Sequence, residues 1–349
     1  MKVLFVGLKL ENYGSQNGRF SFEYVNFFRS LRNMKEIEVI EYPFDNIIET
    51  GRKKWNEGMI NLVVREKPNL LFAFMYTDEI DIATLKSIRS NTQAKTIAWF
   101  ADDYWRFWNY SKNWAPYFDW VVTTSHQALG WYNQKGIKNV ILSQWACNTC
   151  DYKPLNFQKD IDVSFVGQYK SGRAKILKEL SKLGISVETY GFGWPNGKVD
   201  HEKMLEIFSR SKISLNINAR PSSLQPKVIA RIFLKKSINK VKLDFHILDN
   251  LKAYLHFKIH HIHARPFELA GCKSFVISGY SEGIDQYYKE GKEMIFYYSI
   301  RDLADKIKYY LQHPEIREEI ATAGYNRTIG EHTYENRFRE IFRKIGMNF

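Results

Sequence analysis

Two carboxylates, Asp102 and Asp103, follow the apolar run Lys95–Phe100 and precede Tyr104, Trp105, Arg106, Phe107, Trp108 and Tyr110. Paired acids just past a strand end can hold a general base or accept hydrogen bonds from hydroxyl-rich ligands. Repulsion between them favours a raised pKa on one. The surrounding aromatics could stack on flat ligand faces or pack an exposed loop. The competing account is a helix N-cap, which needs only one of the two acids.

A second chemical signal is Gly167-Gln-Tyr-Lys-Ser-Gly172-Arg173. It has the glycine spacing of a phosphate loop but lacks the Lys-Ser/Thr after the second glycine, so Walker-type ATP hydrolysis is disfavoured. What survives is a glycine-flanked loop opening a helix, with free backbone N–H groups facing an anion. Arg173 adds a fork suited to phosphate oxygens. An ordinary tight turn with a surface arginine accounts for the same residues. Glu268, at the start of a predicted helix, could take two ribose hydroxyls, or be a surface acid favoured by its own helix dipole. Ser281, Glu282 and Gly283 are read as opening a further helix.

Other patterns carry less. Cys147-Asn-Thr-Cys150 has no second pair to complete a zinc site and does not open a helix after a first strand. His256, His260, His261 and His263 have no carboxylate close in sequence, so exposed histidines are expected there instead of a metal site. Three cysteines in 349 residues exclude a disulfide scaffold and suggest a reducing cytoplasm. The first residues read as a β-strand and not as a signal peptide. No apolar run is long enough to span a bilayer. The formal charge of +13 fits attraction to phosphates, anionic lipid or nucleic acid, or a merely solvated surface.

These residues need a scaffold, and the pattern around them predicts one. Short apolar strands alternate with helices from Lys2 to Leu142, and the design restarts at Asp162-Val-Ser-Phe-Val-Gly167. Such alternation implies α/β domains with parallel sheets covered on both faces. We expect two Rossmann-like domains facing a central cleft. The N-terminal one spans 1–155 and the C-terminal one 156–330, with 331–349 as a closing segment. Residues 224–263 break the pattern. Apolar positions near helical spacing, with six lysines between Lys235 and Lys258, predict a basic helical insertion in the C-terminal domain. It would pack on the domain or on a second copy of the chain, or touch an anionic membrane surface.

Several strings taken in order resemble a known group. They are Asp162–Gly167, Ala264-Arg-Pro-Phe-Glu-Leu-Ala-Gly-Cys272, Tyr280-Ser-Glu-Gly283, Gly291-Lys-Glu293 and His313-Pro-Glu315, with Asp102–Ser111 in the first half. The chain resembles the GT-B superfamily of glycosyltransferases, in its CgeB-like branch. That resemblance implies a C-terminal domain for a nucleotide-sugar and an N-terminal domain for a glycan or lipid-linked acceptor. It also implies catalysis without a metal or other cofactor, a role in polysaccharide biosynthesis, and a closing helix, Thr333–Lys344, that crosses back to the N-terminal domain. Glu268 would take the ribose, and Gly167, Arg173 and Ser281–Gly283 would surround the diphosphate. Arg265 would help to stabilise the leaving group, and Asp102 or Asp103 would be the base. Related retaining enzymes carry another Glu eight positions earlier, where this chain has His260, so the resemblance leaves the stereochemistry open. The expected location is cytoplasmic, at the inner face of the membrane if the insertion binds lipid. A sugar-nucleotide epimerase, or a non-catalytic nucleotide- or nucleic-acid-binding protein, is the alternative, with nucleic acid disfavoured.

Overall fold

The computed structural model describes residues 1–14, 18–218 and 225–347; Leu224, at the edge of the predicted insertion, lies outside them. In chain order the strands are β1 (Lys2–Gly7), β2 (Glu38–Pro43), β3 (Leu70–Phe74), β4 (Lys95–Phe100), β5 (Trp120–Thr123), β6 (Val140–Leu142), β7 (Ile161–Val166), β8 (Glu188–Tyr190), β9 (Ser211–Asn216), β10 (Leu234–Ser237), β11 (Lys240–Leu243), β12 (Val276–Gly279) and β13 (Ile295–Tyr297). The chain forms two compact units. Met1–Gln144, Ser223–Ile259 and Arg337–Phe349 make the first, and Trp145–Ser222 with His260–Asn336 the second.

The first unit holds a parallel sheet in the order β2-β1-β3-β4-β5-β6. Every residue of β3 is buried, as expected for a strand covered by helices on both faces. Leu4, Val6, Leu71, Ala73 and Phe100 meet Phe44, Trp55 and Met59 in its core. The direction of strand crossover reverses between β1 and β3. Open α/β sheets bind ligands near such points, outside the carboxyl ends of the strands. The end of the chain completes this unit. Phe338 stacks edge-on against Phe27 and Phe72 at 5.7 and 5.8 Å. Arg339 pairs with Glu36 at 3.0 Å, and Lys95 Nζ donates to the Ile345 carbonyl at 2.8 Å.

The lysine-rich segment corrects the sequence reading in two ways. It is not one helix: Pro226–Ala230 is a single helical turn, β10 and β11 form an antiparallel hairpin, and only Ile247–His256 is a longer helix. It also belongs with the first unit, not the C-terminal one. Ser237 Oγ donates to Asp78 at 2.9 Å, and Asn109 Nδ2 donates to Asn250 at 2.9 Å. Lys112 pairs with Asp249 at 2.7 Å, and Trp105 packs edge-on against Phe257 at 5.2 Å.

The second unit repeats the architecture with a parallel sheet ordered β13-β12-β9-β7-β8. Val163, Phe165, Leu215 and Ile277 pack there against Leu303, Ile307 and Ile320. Its crossover reverses between β7 and β9, so the second favoured ligand position lies beyond Val166 and Asn216. Cys147 is buried and Cys150 exposed. The helix Arg265–Gly271 runs so close to Cys147 that a Cβ on Gly271 would overlap the sulfur. Burial pushes the Cys147 thiol up, away from the thiolate that redox chemistry needs.

Candidate functional site

In the second unit the loop after β7 starts at Gly167. A Cβ there would come 2.8 Å from the Phe165 ring and 3.4 Å from Arg173 Nη1, so the glycine lets the arginine fold over the loop. Arg173 lies in the first turn of the helix Ser171–Lys182. It donates to the carbonyls of Gln168 at 2.9 Å and Ile217 at 3.3 Å, which ties the ends of β7 and β9 together. Beyond β9, Asn218 donates to the His261 carbonyl at 3.1 Å and to Ser281 Oγ. Gly167, Arg173 and Ser281 are thus gathered at the carboxyl ends of neighbouring strands. Gly283 takes the left-handed backbone (φ +85°) but opens only the short 3-10 turn Ile284–Gln286, not the predicted helix. Glu282 is exposed.

Positive charge collects at this loop. Burial holds Arg173 below its ordinary pKa, and the nearby charge of Arg265 adds to the effect. His263 is pushed well below the usual histidine range, first by burial and then by His261, Arg173 and Lys170. Its ring lies 4.2 Å from that of His261, and its Nδ1 is buried without a hydrogen-bond partner. The expectation of exposed histidines therefore fails at His263. Cations that raise one another's cost of ionisation are relieved by a bound anion. The sequence missed this histidine because the charges around it come from loops distant in the chain.

Glu268 is also placed differently from the surface acid expected. It is 4% exposed, on a helix whose residues Pro266 to Gly271 are all buried. Its carboxylate pairs with Arg265 Nη1 at 2.7 Å, and its charge helps hold the buried Tyr152 hydroxyl well above its ordinary pKa. The Arg265 guanidinium also lies 5.3 Å over the Phe208 ring. The two candidate residues are one ion pair, fixed by i, i+3 spacing on the same helix.

In the first unit the carboxyl ends of β3 and β4 open onto a cavity of about 450 Å³. Thr77, Asp78, Asp102, Trp105, Arg106 and Arg231 are among its walls. The structure separates the two paired acids. Asp102 lines this cavity and, although it stands at an N-cap position, its side chain makes no cap hydrogen bond. Asp103 is fully buried and receives the Tyr132 hydroxyl at 2.9 Å. Burial pushes its pKa up to about 6, against the pull of Ser111, Thr123 and Tyr132. Asp103 cannot reach a ligand from there, and desolvation rather than repulsion by Asp102 raises its pKa. The pair is therefore one accessible carboxylate and one structural acid.

Residues 240–343 match the family described as glycosyl transferase-like. The spore protein CgeB of Bacillus subtilis is 21% identical over 220 residues, which is 62% of this chain and 65% of that protein. A sucrose-phosphate synthase from Thermosynechococcus elongatus superposes with a TM-score of 0.62 at 10% identity, over 99% of both chains. HepE of Anabaena, solved in complex with UDP, gives 0.60 at 9% identity, over 99% of this chain and 100% of that one. At such identities the solved structures establish the fold, which is GT-B.

Proposed function

We propose that this chain of GT-B fold, similar over residues 240–343 to the glycosyl transferase-like family, is a glycosyltransferase that moves a sugar from a nucleotide-sugar to a glycan or lipid-linked acceptor in polysaccharide biosynthesis. The observation that carries the donor half is the gathering of three cations, Lys170, Arg173 and Arg265, around the Gly167 loop, with the neutral imidazole of His263 among them. A leaving diphosphate gains charge as the glycosidic bond breaks, and fixed cations stabilise that charge without reorganising. In this reading they replace a metal ion. The donor's diphosphate rests against Gly167, Arg173 and the Ser281–Gly283 turn, and the Arg265–Glu268 pair meets its ribose. Asp102 takes the proton from the acceptor hydroxyl as that oxygen bonds to the anomeric carbon. HepE, a structural neighbour, binds UDP, which makes uridine the first base to try.

The test is incubation with a panel of nucleotide-sugars, with and without EDTA, scoring nucleoside diphosphate release. We expect release from one donor that rises with an acceptor and persists in EDTA. A changed sugar left on its nucleotide would make the protein an epimerase, and binding to no donor would make it a non-catalytic binding protein.

The hairpin and helix of residues 234–256 suggest where the enzyme works. Val241, Leu243, Phe245, Leu248 and Leu255 are exposed, with Phe245 at 84%, and Lys235, Lys240, Lys242 and Lys252 are exposed among them. Apolar side chains ringed by lysines suit the surface of an anionic leaflet, where each basic residue contributes about 1 kcal/mol. Among the described residues no helix is long and apolar enough to cross a membrane. Sedimentation with phosphatidylglycerol vesicles should therefore deplete the protein from the supernatant at low salt and less at high salt. Equal recovery with and without vesicles, together with a dimer by light scattering, would assign this face to a second copy of the chain.

A further inference from the structure

The cavity of the first unit carries on its wall a cation, Arg231, that no described residue pairs with. Arg231 comes from the turn before β10. Its guanidinium lies against the edge-on pair of Trp105, at 4.8 Å, and Phe257, at 5.1 Å. Among the described residues it makes no hydrogen bond or ion pair, and its Nη1 is buried. Burial lowers its pKa and the charge of Arg106 on the same wall lowers it further, against the pull of Tyr104 and of Asp102, whose carboxylate acts on it across the cavity without closing to an ion pair. Arg231 is half-buried, and a guanidinium desolvated in this way without a partner carries a cost that a bound anion offsets.

The charged neighbours do not meet this need. Asp244 is engaged by His246 at 2.7 Å, and Asp78 by Ser237 at 2.9 Å and Arg52 at 3.7 Å. Arg106 Nη2 donates to the Tyr76 carbonyl at 2.7 Å, and Lys236 Nζ to the Tyr76 hydroxyl at 3.0 Å. What is left is a planar cation asking for an oxyanion beside the aromatic face of Trp105. A neutral sugar answers the second demand only, whereas an acidic one answers both.

We infer that this cavity takes an acceptor whose sugar carries an oxyanion, carboxylate or phosphate, and that Arg231 is the residue that selects it. The inference rests on the reading of this cavity as the acceptor site. It gives the hairpin a task beyond any membrane contact, since the segment that bears Arg231 is what closes the cavity against β3 and β4.

Calorimetry without donor separates the two readings. The probes are tetragalacturonate against maltotetraose for the carboxylate, and glucose 6-phosphate against glucose for the phosphate. At least one acidic probe should bind tenfold or more tighter than its neutral counterpart. Arg231→Met keeps the stacked hydrocarbon and should abolish that preference. Arg231→Lys keeps the charge without the fork and should retain part of it. Thermal melts of both variants check that they fold. Equal binding of acidic and neutral probes overturns the inference, as does an acidic preference that survives in Arg231→Met, which would place the anion on the exposed lysines or at the Gly167 loop. Donor-dependent transfer to neutral maltotetraose at rates that Arg231→Met leaves intact would also overturn it, while the transferase reading would stand.

Discussion

Replacing Asp102 with Asn should lower sugar transfer at saturating donor by about a hundredfold or more, with donor affinity held within a few-fold. The size follows from what a positioned base contributes to a reaction that must remove a proton in its transition state. Asn keeps the shape and the hydrogen-bond acceptor but cannot take the proton. Donor affinity should hold because the groups proposed to bind the phosphates belong to the second unit and Asp102 to the first. The comparison that gives the result meaning is Asp103→Asn. That residue is sealed under Tyr132, so its loss should leave turnover within a few-fold.

Asp103→Asn should instead change how stability depends on pH. A carboxyl whose pKa is about 6 in the folded protein and 3.8 as a free side chain binds its proton more readily when folded. The ionised form is the penalised one, so its cost is fully present above about pH 6 and is relieved as pH falls toward 4. Between pH 7 and pH 5 the wild type should therefore gain about 1 kcal/mol relative to the Asn variant. Denaturant melts at the two pH values measure that difference. If Asp103→Asn abolished transfer and Asp102→Asn did not, the roles of the two acids would be exchanged.

The sequence made the two sheets readable because their strands are short, almost wholly apolar and separated by helical stretches. Leu70–Phe74 shows this best, and the burial of every residue there is what a parallel strand requires. The strand, glycine and helix around Gly167 and Arg173 were readable for a local reason as well, since the apolar run stops at the glycine and helical spacing starts after it. The hairpin was not. Leu234 to Leu243 is only ten residues long, and a four-residue alternation also fits helical spacing when helices flank it. Its assignment to the first unit depends on contacts such as Ser237 with Asp78 and Asn250 with Asn109, which no local pattern announces. Arg231 was missed for the same reason: its significance lies in Trp105 and Phe257, not in its neighbours along the chain. Asp102 and Asp103 could be picked out as a pair, but which of them faces the cavity depends on how the turn after β4 is wound.

Glu268→Gln should weaken binding of the preferred nucleotide-sugar about tenfold or more and also lower the melting temperature. The first effect follows from the proposed ribose contact. A carboxylate accepting charge-assisted hydrogen bonds contributes about 1.5–3 kcal/mol for each, and 1.4 kcal/mol is one decade of affinity. The second follows from burial. Gln cannot neutralise Arg265, and a buried cation left without its partner costs more than the pair contributed. Because Arg265 is itself 27% exposed, water offsets part of that loss, and a destabilisation of about 1–3 kcal/mol is expected. Calorimetry with the nucleotide-sugar and with the free nucleoside diphosphate separates the two effects, provided both are measured well below the melting temperature. A contact to ribose predicts the same loss with either ligand. A loss confined to the nucleotide-sugar would move Glu268 to the transferred sugar. A lower melting temperature with both affinities unchanged would make the Arg265–Glu268 pair a strut of the helix beneath the phosphate loop, and the ribose would have to be held by other groups.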